Sequence, residues 1–271
     1  MIIKTLMENT TNNCELNMEH GLSLYIEANG HKILFDAGQS SAFAKNAKHM
    51  GVDLEAVDIS VLSHGHYDHS GGLEHFLELN KTAKLFVNEH AFGSFYSSGT
   101  KEIGVASFLR RHKQVVITSD YKKLDEGIEL FTCNAFERKY VSDSKNLYMR
   151  IQDELELDLF LHEHYLLITE NEKRILISGC SHKGILNLVE WFHPDVLVGG
   201  FHFKDIEMND VGKAKLDNYA MHLKGFKTKY YTGHCTGVEQ YEYLKKQMGD
   251  QVEYLSAGDE IEIICNNHFV C

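Results

Sequence analysis

Four side chains that commonly bind metal ions occupy six consecutive positions of this sequence: His64, His66, Asp68 and His69. An apolar, partly β-branched run over 59–62 precedes them, and two glycines at 71–72 lead into an amphipathic stretch over 73–79. This order predicts a buried strand, a tight loop and the start of a helix. A loop fixed by a strand end can point alternate side chains to one place, as a site for several metal ions requires. Imidazole nitrogens with a carboxylate oxygen suit zinc, and they also suit manganese or iron.

An alternative interpretation of residues 64–69 is a polar surface loop that happens to be rich in histidine. The chain contains 17 histidines in 271 residues, so isolated pairs are expected by chance. A chance His-x-His-x-Asp-His arises in roughly a few sequences per thousand at this composition, a risk that every motif match carries. The order of strand, motif, glycine pair and helix favours the metal site.

Composition and charge argue against several functional classes. The formal net charge is −12 at pH 7. Such a protein gains nothing from counterion release on a phosphate backbone, so we expect no nucleic-acid partner. No apolar run approaches about 20 residues, and the stretch 1–6 becomes polar too early for a signal peptide, so we expect no membrane partner.

The cysteines indicate the redox environment. None of the six forms a Cys-x-x-Cys pair. Six thiols in a chain of this length, without a secretion signal, indicate reduced cysteines and a cytoplasmic location. We interpret Cys14, Cys133 and Cys265 as small residues of the hydrophobic core.

The metal-binding motif and further blocks of the chain resemble the metallo-β-lactamase superfamily. The blocks extend from residue 19 to residue 237 and cover most of the chain. Together they are similar to a branch of metal-dependent hydrolases grouped with a dihydropterin ribofuranosyl-aminobenzene phosphate synthase, and the blocks at 179–182 and 232–237 are the ones that indicate this branch. The six blocks are Glu19-His20-Gly21-Leu22-Ser23, Leu34 to Ser40, Ser63 to Gly72, Gly179-Cys180-Ser181-His182, Gly199-Gly200-Phe201-His202 and Thr232 to Gly237.

Strands and helices alternate along the chain, with polar motifs at strand ends, and this pattern predicts a single α/β domain over residues 1–271. Apolar residues at helical spacing over 185–192 and 216–223 predict two of the helices. The resemblance implies more: a four-layer αββα sandwich, with two mixed sheets face to face and helices outside. The two pseudo-symmetric halves would be about 1–125 and 126–271, with the metal site between them.

Two segments are less regular. Residues 88–112 place Phe92, Phe95 and Tyr96 near Lys101 and two arginines, which suits either a pocket wall over an aromatic or anionic ligand or a loop packed inward. Residues 134–158 are strongly charged and predict an exposed excursion, either a solvated loop or a lid.

The resemblance also implies where the remaining metal ligands lie. His182 and His234 match the family's second-half ligands, and each follows a predicted strand in a glycine-containing turn. The expected cofactor is a pair of divalent metal ions, zinc first, with manganese or iron as alternatives. His64, His66 and His182 would bind one ion, and Asp68, His69 and His234 would bind the other.

Cys180 departs from the family pattern. Much of the superfamily has an aspartate that bridges the two ions at this place. Cys180 is therefore either a weaker candidate ligand or a buried thiol beside the ligands. His162 and His164 lie in a strand-like run, and we expect neither to bind metal.

Three further residues match the family blocks. Asp36 is expected to accept a hydrogen bond from a ligand histidine or from the loop backbone. His20 and His202 are expected to line the substrate pocket as phosphate or hydroxyl donors or as a general acid, and a structural role is the alternative. We expect these two histidines and Asp68 to be the catalytic residues.

The function implied is a metal-dependent hydrolase that uses activated water on a small substrate with a phosphoryl or carbonyl centre. Transfer of a dihydropterin-methyl group, as in the named synthase, is the alternative from another reaction class. A non-catalytic binding domain is disfavoured because the first-half motif is complete. Diiron oxygen reductases of this fold are disfavoured because they have a glutamate where His66 stands.

Overall fold

The computed structural model describes residues 1–264, so Cys265 lies outside the described part of the chain. Each strand is named here in chain order: β1 (Ile2–Met7), β2 (Ser23–Ala28), β3 (His31–Phe35), β4 (Ile59–Val61), β5 (Lys84–Asn88), β6 (Phe95–Ser97), β7 (Lys101–Glu102), β8 (Val115–Thr118), β9 (Tyr121–Asp125), β10 (Ile128–Phe131), β11 (Leu147–Ile151), β12 (Glu154–Leu157), β13 (Tyr165–Glu170), β14 (Lys173–Ser178), β15 (Val196–Val198), β16 (Lys229–Thr232), β17 (Val252–Tyr254) and β18 (Glu260–Glu262). The helices are α1 (Ala42–His49), α2 (Tyr67–Ser70), α3 (Leu73–Leu79), α4 (Ile185–Phe192), α5 (Asp210–Lys224) and α6 (Val238–Met248).

Two mixed seven-stranded sheets form the centre of the molecule. The first has the order β18-β1-β2-β3-β4-β5-β8, and the second has the order β17-β16-β15-β14-β13-β10-β9. In each, antiparallel hairpins are followed by parallel strands joined through helices. Sheet membership departs from the halves expected at about 1–125 and 126–271. β9 pairs with β10 in the second sheet, and β18 pairs with β1 in the first.

The strands bury both faces, and their side chains alternate between two cores. In β3, Ile33 and Phe35 point into the core between the sheets, together with Ile175 and Ile177 of β14. The intervening Leu34 points the other way, towards α1 and α3. On the far side, α4 and α5 cover the second sheet through the apolar residues predicted at 185–192 and 216–223, and α6 adds Leu244 and Met248. The predicted four-layer αββα sandwich is therefore confirmed.

A third, four-stranded sheet contains the two segments that looked irregular in the sequence. Its order is β12-β11-β6-β7, so the excursion over 134–158 supplies a hairpin that pairs with residues 95–97. Its strands are short and partly exposed, which explains why periodicity did not predict them. Of the aromatic and basic residues of 88–112, Phe92, Phe95 and Arg110 line one cavity and Lys101 lines another, both described below.

The cysteine predictions had mixed outcomes. Cys133 is buried, as expected for a core residue, and burial raises the pKa of its thiol to about 12. Cys14 is exposed, because it lies in the loop between β1 and β2 rather than on a core strand. Within residues 1–264, no helix is both long and apolar enough to cross a membrane. The cytoplasmic location stays a prediction.

Candidate metal centre

The first ligand loop leaves the end of β4, a fully buried strand. The loop turns into the short helix α2 and then, through Gly71 and Gly72, into α3. Both glycines lie against the neighbouring loop after β3. A Cβ atom on Gly71 would overlap the carbonyl oxygen of Gln39, and one on Gly72 would overlap that of Ala37. The glycine pair of the motif is therefore needed for close packing of the two loops.

Three of the predicted ligands lie together, as expected for the group that would bind the first metal ion. The ligand atoms of His64, His66 and His182 all lie within 4.8 Å of one another, and all three residues are buried. His182 Nε2 lies 3.3 Å from His64 Nε2. The ring of Phe160 stacks on His182 with centroids 4.4 Å apart, which fixes the plane of the imidazole.

The second predicted group surrounds the carboxylate of Asp68. Its Oδ2 atom lies 3.8 Å from His69 Nε2, 3.3 Å from His234 Nε2 and 3.2 Å from His20 Nε2. The structure therefore brings His20 beside the carboxylate, although the sequence suggested only a pocket position for it. The ligand atoms of His20, Asp68 and His234 form a compact group within 4.8 Å.

Hydrogen bonds at the outer ring nitrogens fix the tautomers of two ligand candidates. Asp36 is fully buried and accepts from the Ser63 backbone N–H at 2.7 Å, the Ser63 hydroxyl at 2.6 Å and His69 Nδ1 at 2.7 Å. Because the Ser63 hydroxyl proton is already donated, the 2.8 Å contact with His64 Nδ1 requires the imidazole to donate. The Nε2 lone pairs of His64 and, once it is neutral, His69 then face the centre of the site.

The two second-half histidines are held in the same way. His234 Nδ1 donates to Asn9 Oδ1 at 2.8 Å, and His182 Nδ1 contacts Ser144 Oγ at 3.0 Å while the Ser144 hydroxyl donates to the His182 carbonyl. The Nε2 atoms of His234 and His66 are buried and make no hydrogen bond, although the His234 atom is close to Asp68. Buried polar nitrogens without partners are costly, so a bound cation would satisfy them.

Electrostatics leave most of these imidazoles neutral. Burial and neighbouring histidines lower the pKa of His64 and His182 well below the ordinary value. Burial also lowers the pKa of His66 and of His234 to about 3. Neutral imidazole is the form that binds metal.

The carboxylate and its neighbour His69 behave differently. Burial would raise the pKa of Asp68, but the charge on His69 and a hydrogen bond from His20 hold it well below its usual range. Burial opposes protonation of His69, but the charges of Asp36 and Asp68 raise its pKa to about 9. His69 therefore carries a proton without metal, and a cation bound at its Nε2 would displace that proton.

Two buried thiols complete the surroundings. Cys180 Sγ lies 3.3 Å from His69 Nε2, and the ligand atoms of Cys180, His234 and Cys235 lie within 4.8 Å of one another. Burial, with Cys235 and Asp68 nearby, raises the pKa of Cys180 well above its ordinary value. Both sequence interpretations of Cys180, ligand and neighbouring thiol, stay open. Together the imidazoles, carboxylate and thiols fit divalent metal ions of the zinc type.

The centre forms the floor of a cavity of about 200 Å³. His20 and His202 both line it, at the places expected for substrate contacts. His202 has a left-handed backbone with φ of 57°, is 6% exposed, and its Nδ1 makes no hydrogen bond. A neighbouring cavity of about 250 Å³ is lined by Phe92, Phe95 and Arg110. Lys101 lines the first cavity instead.

The family model of the metallo-beta-lactamase superfamily matches residues 17–158, slightly more than half of the chain. The chain is also 32% identical over 249 residues to an uncharacterized protein of Methanocaldococcus jannaschii, covering 83% of this chain and 91% of that one. This chain belongs to the metallo-β-lactamase superfamily. Membership agrees with the resemblance seen in the sequence.

Three other proteins similar to this metallo-β-lactamase superfamily member are informative. A 7,8-dihydropterin-6-methyl-4-(beta-D-ribofuranosyl)-aminobenzene-5'-phosphate synthase of M. jannaschii is 29% identical over 270 residues, with 90% of each chain covered. The crystal structure of Tm1679, a metal-dependent hydrolase of the beta-lactamase superfamily, matches with a TM-score of 0.80 and 25% identity. It covers 97% of this chain and 99% of its own. Zn²⁺-bound PqqB from Methylobacterium extorquens shares the fold at 12% identity, with a TM-score of 0.55.

Several residues of this superfamily member that position the ligands were missed in the sequence. Asn9 and Ser144 orient His234 and His182, and Glu163 accepts the backbone N–H of His182 at 2.7 Å. Glu8 accepts the backbone N–H of His234. No local motif signals these roles, because each partner lies far along the chain from the histidine that it holds.

The two histidines that were expected not to bind metal lie close to the centre. His162 Nδ1 accepts from the Gly65 N–H at 2.9 Å, and its Nε2 lies 3.0 Å from Asp158 Oδ2, so both ring nitrogens are used. His164 Nε2 contacts Thr118 Oγ1 at 3.0 Å, and His164 belongs to none of the candidate ligand groups found among residues 1–264. His162, His66 and Asp158 do form a compact group, so the assignment needs a test.

The ligand assignment predicts different metal contents for two variants. His182→Ala removes a free Nε2 from the first group and should lower zinc content by about one equivalent, as loss of one of three protein ligands usually does. His162→Ala should keep its zinc, because neither ring nitrogen is free. Elemental analysis of both purified proteins, with thermal melts as a check on folding, provides the measurement. Full zinc in His182→Ala with loss in His162→Ala would reverse the assignment.

Proposed function

We propose that the protein is a hydrolase of a small molecule that uses two divalent metal ions, with zinc as the first choice. The observation that carries this proposal is the convergence of Nε2 atoms and the Asp68 carboxylate on the floor of one cavity. His64, His66 and His182 would hold one ion, and Asp68, His69 and His234 would hold the other. Cys180 is a candidate for an additional contact. When bound, the ions would supply an activated water and polarise the phosphoryl or carbonyl centre that it attacks.

The chain's own residues would then orient the reaction. Asp68 would accept a hydrogen bond from the attacking water, because it lines the cavity beside His20 and His234. His202 has a buried Nδ1 without a partner, and would donate to the substrate or to the leaving oxygen. His20 contacts the Asp68 carboxylate and would form part of the wall of the substrate cavity. Asp36 would hold His69 and, through Ser63, His64 in the orientation that binding needs.

The second candidate function is a group transfer. It is favoured by the 29% identity to the synthase over nearly the whole chain. In this case the same residues would bind an aminobenzene ribosyl phosphate and a dihydropterin-methyl diphosphate. The amino nitrogen would form a C–N bond to the methylene carbon as the C–O bond to diphosphate breaks, so diphosphate leaves and the amine loses a proton. The two reactions differ in product, so they can be separated directly.

Metal loading and turnover test the hydrolase. Protein supplied with zinc or manganese and then freed of excess metal should retain about two equivalents, as a dinuclear hydrolase site does. It should hydrolyse at least one compound of a phosphomonoester, phosphodiester and lactone panel, and a chelator should abolish that activity. Folded protein that retains less than about half an equivalent would contradict the dinuclear site.

The transfer reaction needs its own assay. The metal-loaded protein would be incubated with a dihydropterin diphosphate and an aminobenzene ribosyl phosphate, and coupled product would be sought by mass spectrometry. Coupled product without hydrolysis of any panel compound would favour the synthase over the hydrolase. Hydrolysis without coupling would favour the first proposal.

A further inference from the structure

The site cavity has a charge pattern unlike that of the protein surface. Asp68 is the single carboxylate among the described residues that line it, and Lys101 and Lys204 line it too. The chain as a whole has a net charge of −12, so a cavity with two lysines and one carboxylate stands out. Asp68 is already engaged by three histidines, which leaves neither lysine an acidic partner inside the cavity.

Lys101 reaches the cavity from the third sheet. Its Nζ donates to the Tyr67 hydroxyl at 3.1 Å and lies 4.7 Å from the centroid of the Tyr67 ring. Tyr67 stands between His66 and Asp68 in the ligand motif. The contact therefore places the exposed ammonium group next to the metal-binding loop. No carboxylate of residues 1–264 lies within ion-pair distance of it.

Lys204 reaches the cavity from the opposite sheet, two residues after His202. Its backbone is anchored, since its N–H donates to the Cys235 carbonyl at 3.1 Å. Its Nζ makes no hydrogen bond or ion pair within the described chain. Burial, and then the charge on Lys204, lower the pKa of His202 to about 4, so this charge acts inside the site.

Other lysines of the protein do find acidic partners. Lys139 lies 2.7 Å from Glu190, and Lys245 lies 3.0 Å from Glu253. In an acidic protein, two cations that face one cavity, and that form no ion pair with its single carboxylate, make the potential there more positive than at the rest of the surface. A ligand that carries negative charge would supply the missing partner, and phosphate oxygens are common partners of lysine.

We propose that Lys101 and Lys204 bind a phosphate group of the substrate, which makes the substrate a phosphorylated small molecule. This inference rests on the proposed function, because it places the reacting centre of the same molecule on the metal-binding floor. The third sheet would then contribute to specificity through Lys101, while the central sandwich contributes Lys204 and the metal-binding residues.

Binding of inorganic phosphate tests this assignment without relying on turnover. Phosphate would be titrated calorimetrically into zinc-loaded protein, and into metal-free protein as a second series. Lys101→Ala and Lys204→Ala should each weaken phosphate binding about fivefold, in the range expected for one partly exposed charge-assisted contact. Lys101→Arg and Lys204→Arg should recover most of the affinity. Zinc content and melting temperature should match those of the wild type.

Two control variants separate charge from structure. Lys32→Ala removes an exposed lysine at the start of β3, at the opposite end of that strand from the site, and should bind phosphate like the wild type. Tyr67→Phe removes the hydrogen bond to Lys101 but leaves its charge. It should weaken phosphate binding less than Lys101→Ala does.

The outcomes distinguish this inference from the proposed function. Equal phosphate affinity in the wild type and both alanine variants would overturn the inference, because the metals alone would then hold the anion. Acetate that competes as well as phosphate, with the same lysine dependence, would overturn the choice of phosphate in favour of a carboxylate. Metal-dependent hydrolysis of a neutral lactone would still support the hydrolase in either case. Failure to retain metal would instead contradict the hydrolase itself.

Discussion

Asp68→Asn is expected to lower the rate of metal-dependent hydrolysis at least about a hundredfold, which corresponds to a loss of about 3 kcal/mol of transition-state stabilisation. The Asp68 carboxylate lies within 4 Å of His20, His69 and His234 and faces the cavity. The amide keeps the shape of the side chain but removes its negative charge. The attacking water would then lose its negatively charged acceptor, and less of it would be deprotonated at neutral pH.

The measurement is steady-state turnover of wild type and Asp68→Asn on any panel compound that the wild type hydrolyses, with zinc content and melting curves alongside. Asp195→Asn is a useful control, since Asp195 is exposed and precedes β15 at the end away from the site. It should keep wild-type turnover. Equal turnover in Asp68→Asn would remove this residue from the mechanism, and a collapsed melting temperature would make its role structural.

Asp36→Ala is expected to destabilise the fold by about 3 kcal/mol or more, because it leaves buried donors without an acceptor. The Asp36 carboxylate is fully buried and accepts from the Ser63 N–H, the Ser63 hydroxyl and His69 Nδ1. The change also releases His69 and, through Ser63, His64. Zinc affinity should therefore fall about 10- to 100-fold, as it does when the partners of ligand histidines are lost.

Asp36→Asn is the matched variant, because asparagine tolerates the left-handed backbone found here, with φ of 60°. It retains an acceptor oxygen and should be destabilised less than Asp36→Ala. Urea unfolding in the presence of a chelator measures the loss in stability, and competition with a zinc-binding dye measures the change in affinity. Wild-type values of both quantities in Asp36→Ala would show that the carboxylate holds neither the loop nor the ligands.

Much of the fold was determined by local sequence patterns. The hairpin of β13 and β14 turns at Asn171 and Glu172, both with positive φ, a conformation that asparagine tolerates. The helical spacing of apolar residues correctly predicted the faces that α4 and α5 bury. These features depend on residues within a few positions of one another, so periodicity and turn chemistry are sufficient to predict them.

The strand, ligand loop and helix start around residues 64–69 were also predicted from the sequence, because the residues that signal them are contiguous. The assignments of His182 and His234 needed the family resemblance, since spacing alone does not say which distant strand ends meet. The structure brings both beside the motif, and their roles as ligands stay predictions. The same is true of Cys180, which the geometry leaves as either a ligand or a neighbour.

Only the tertiary structure decided which residues surround these groups. Asn9 reaches His234 across 225 positions, and Ser144 reaches His182 across 38. β6 pairs with β11, which lies far along the chain. Lys101 is in β7, the strand paired with β6, and it lines the same cavity as Lys204. A sequence records which side chains can donate, accept or carry charge, and local order predicts strands, helices and turns. Which distant side chains meet depends on how the sheets pack, because burial of their shared core sets those distances.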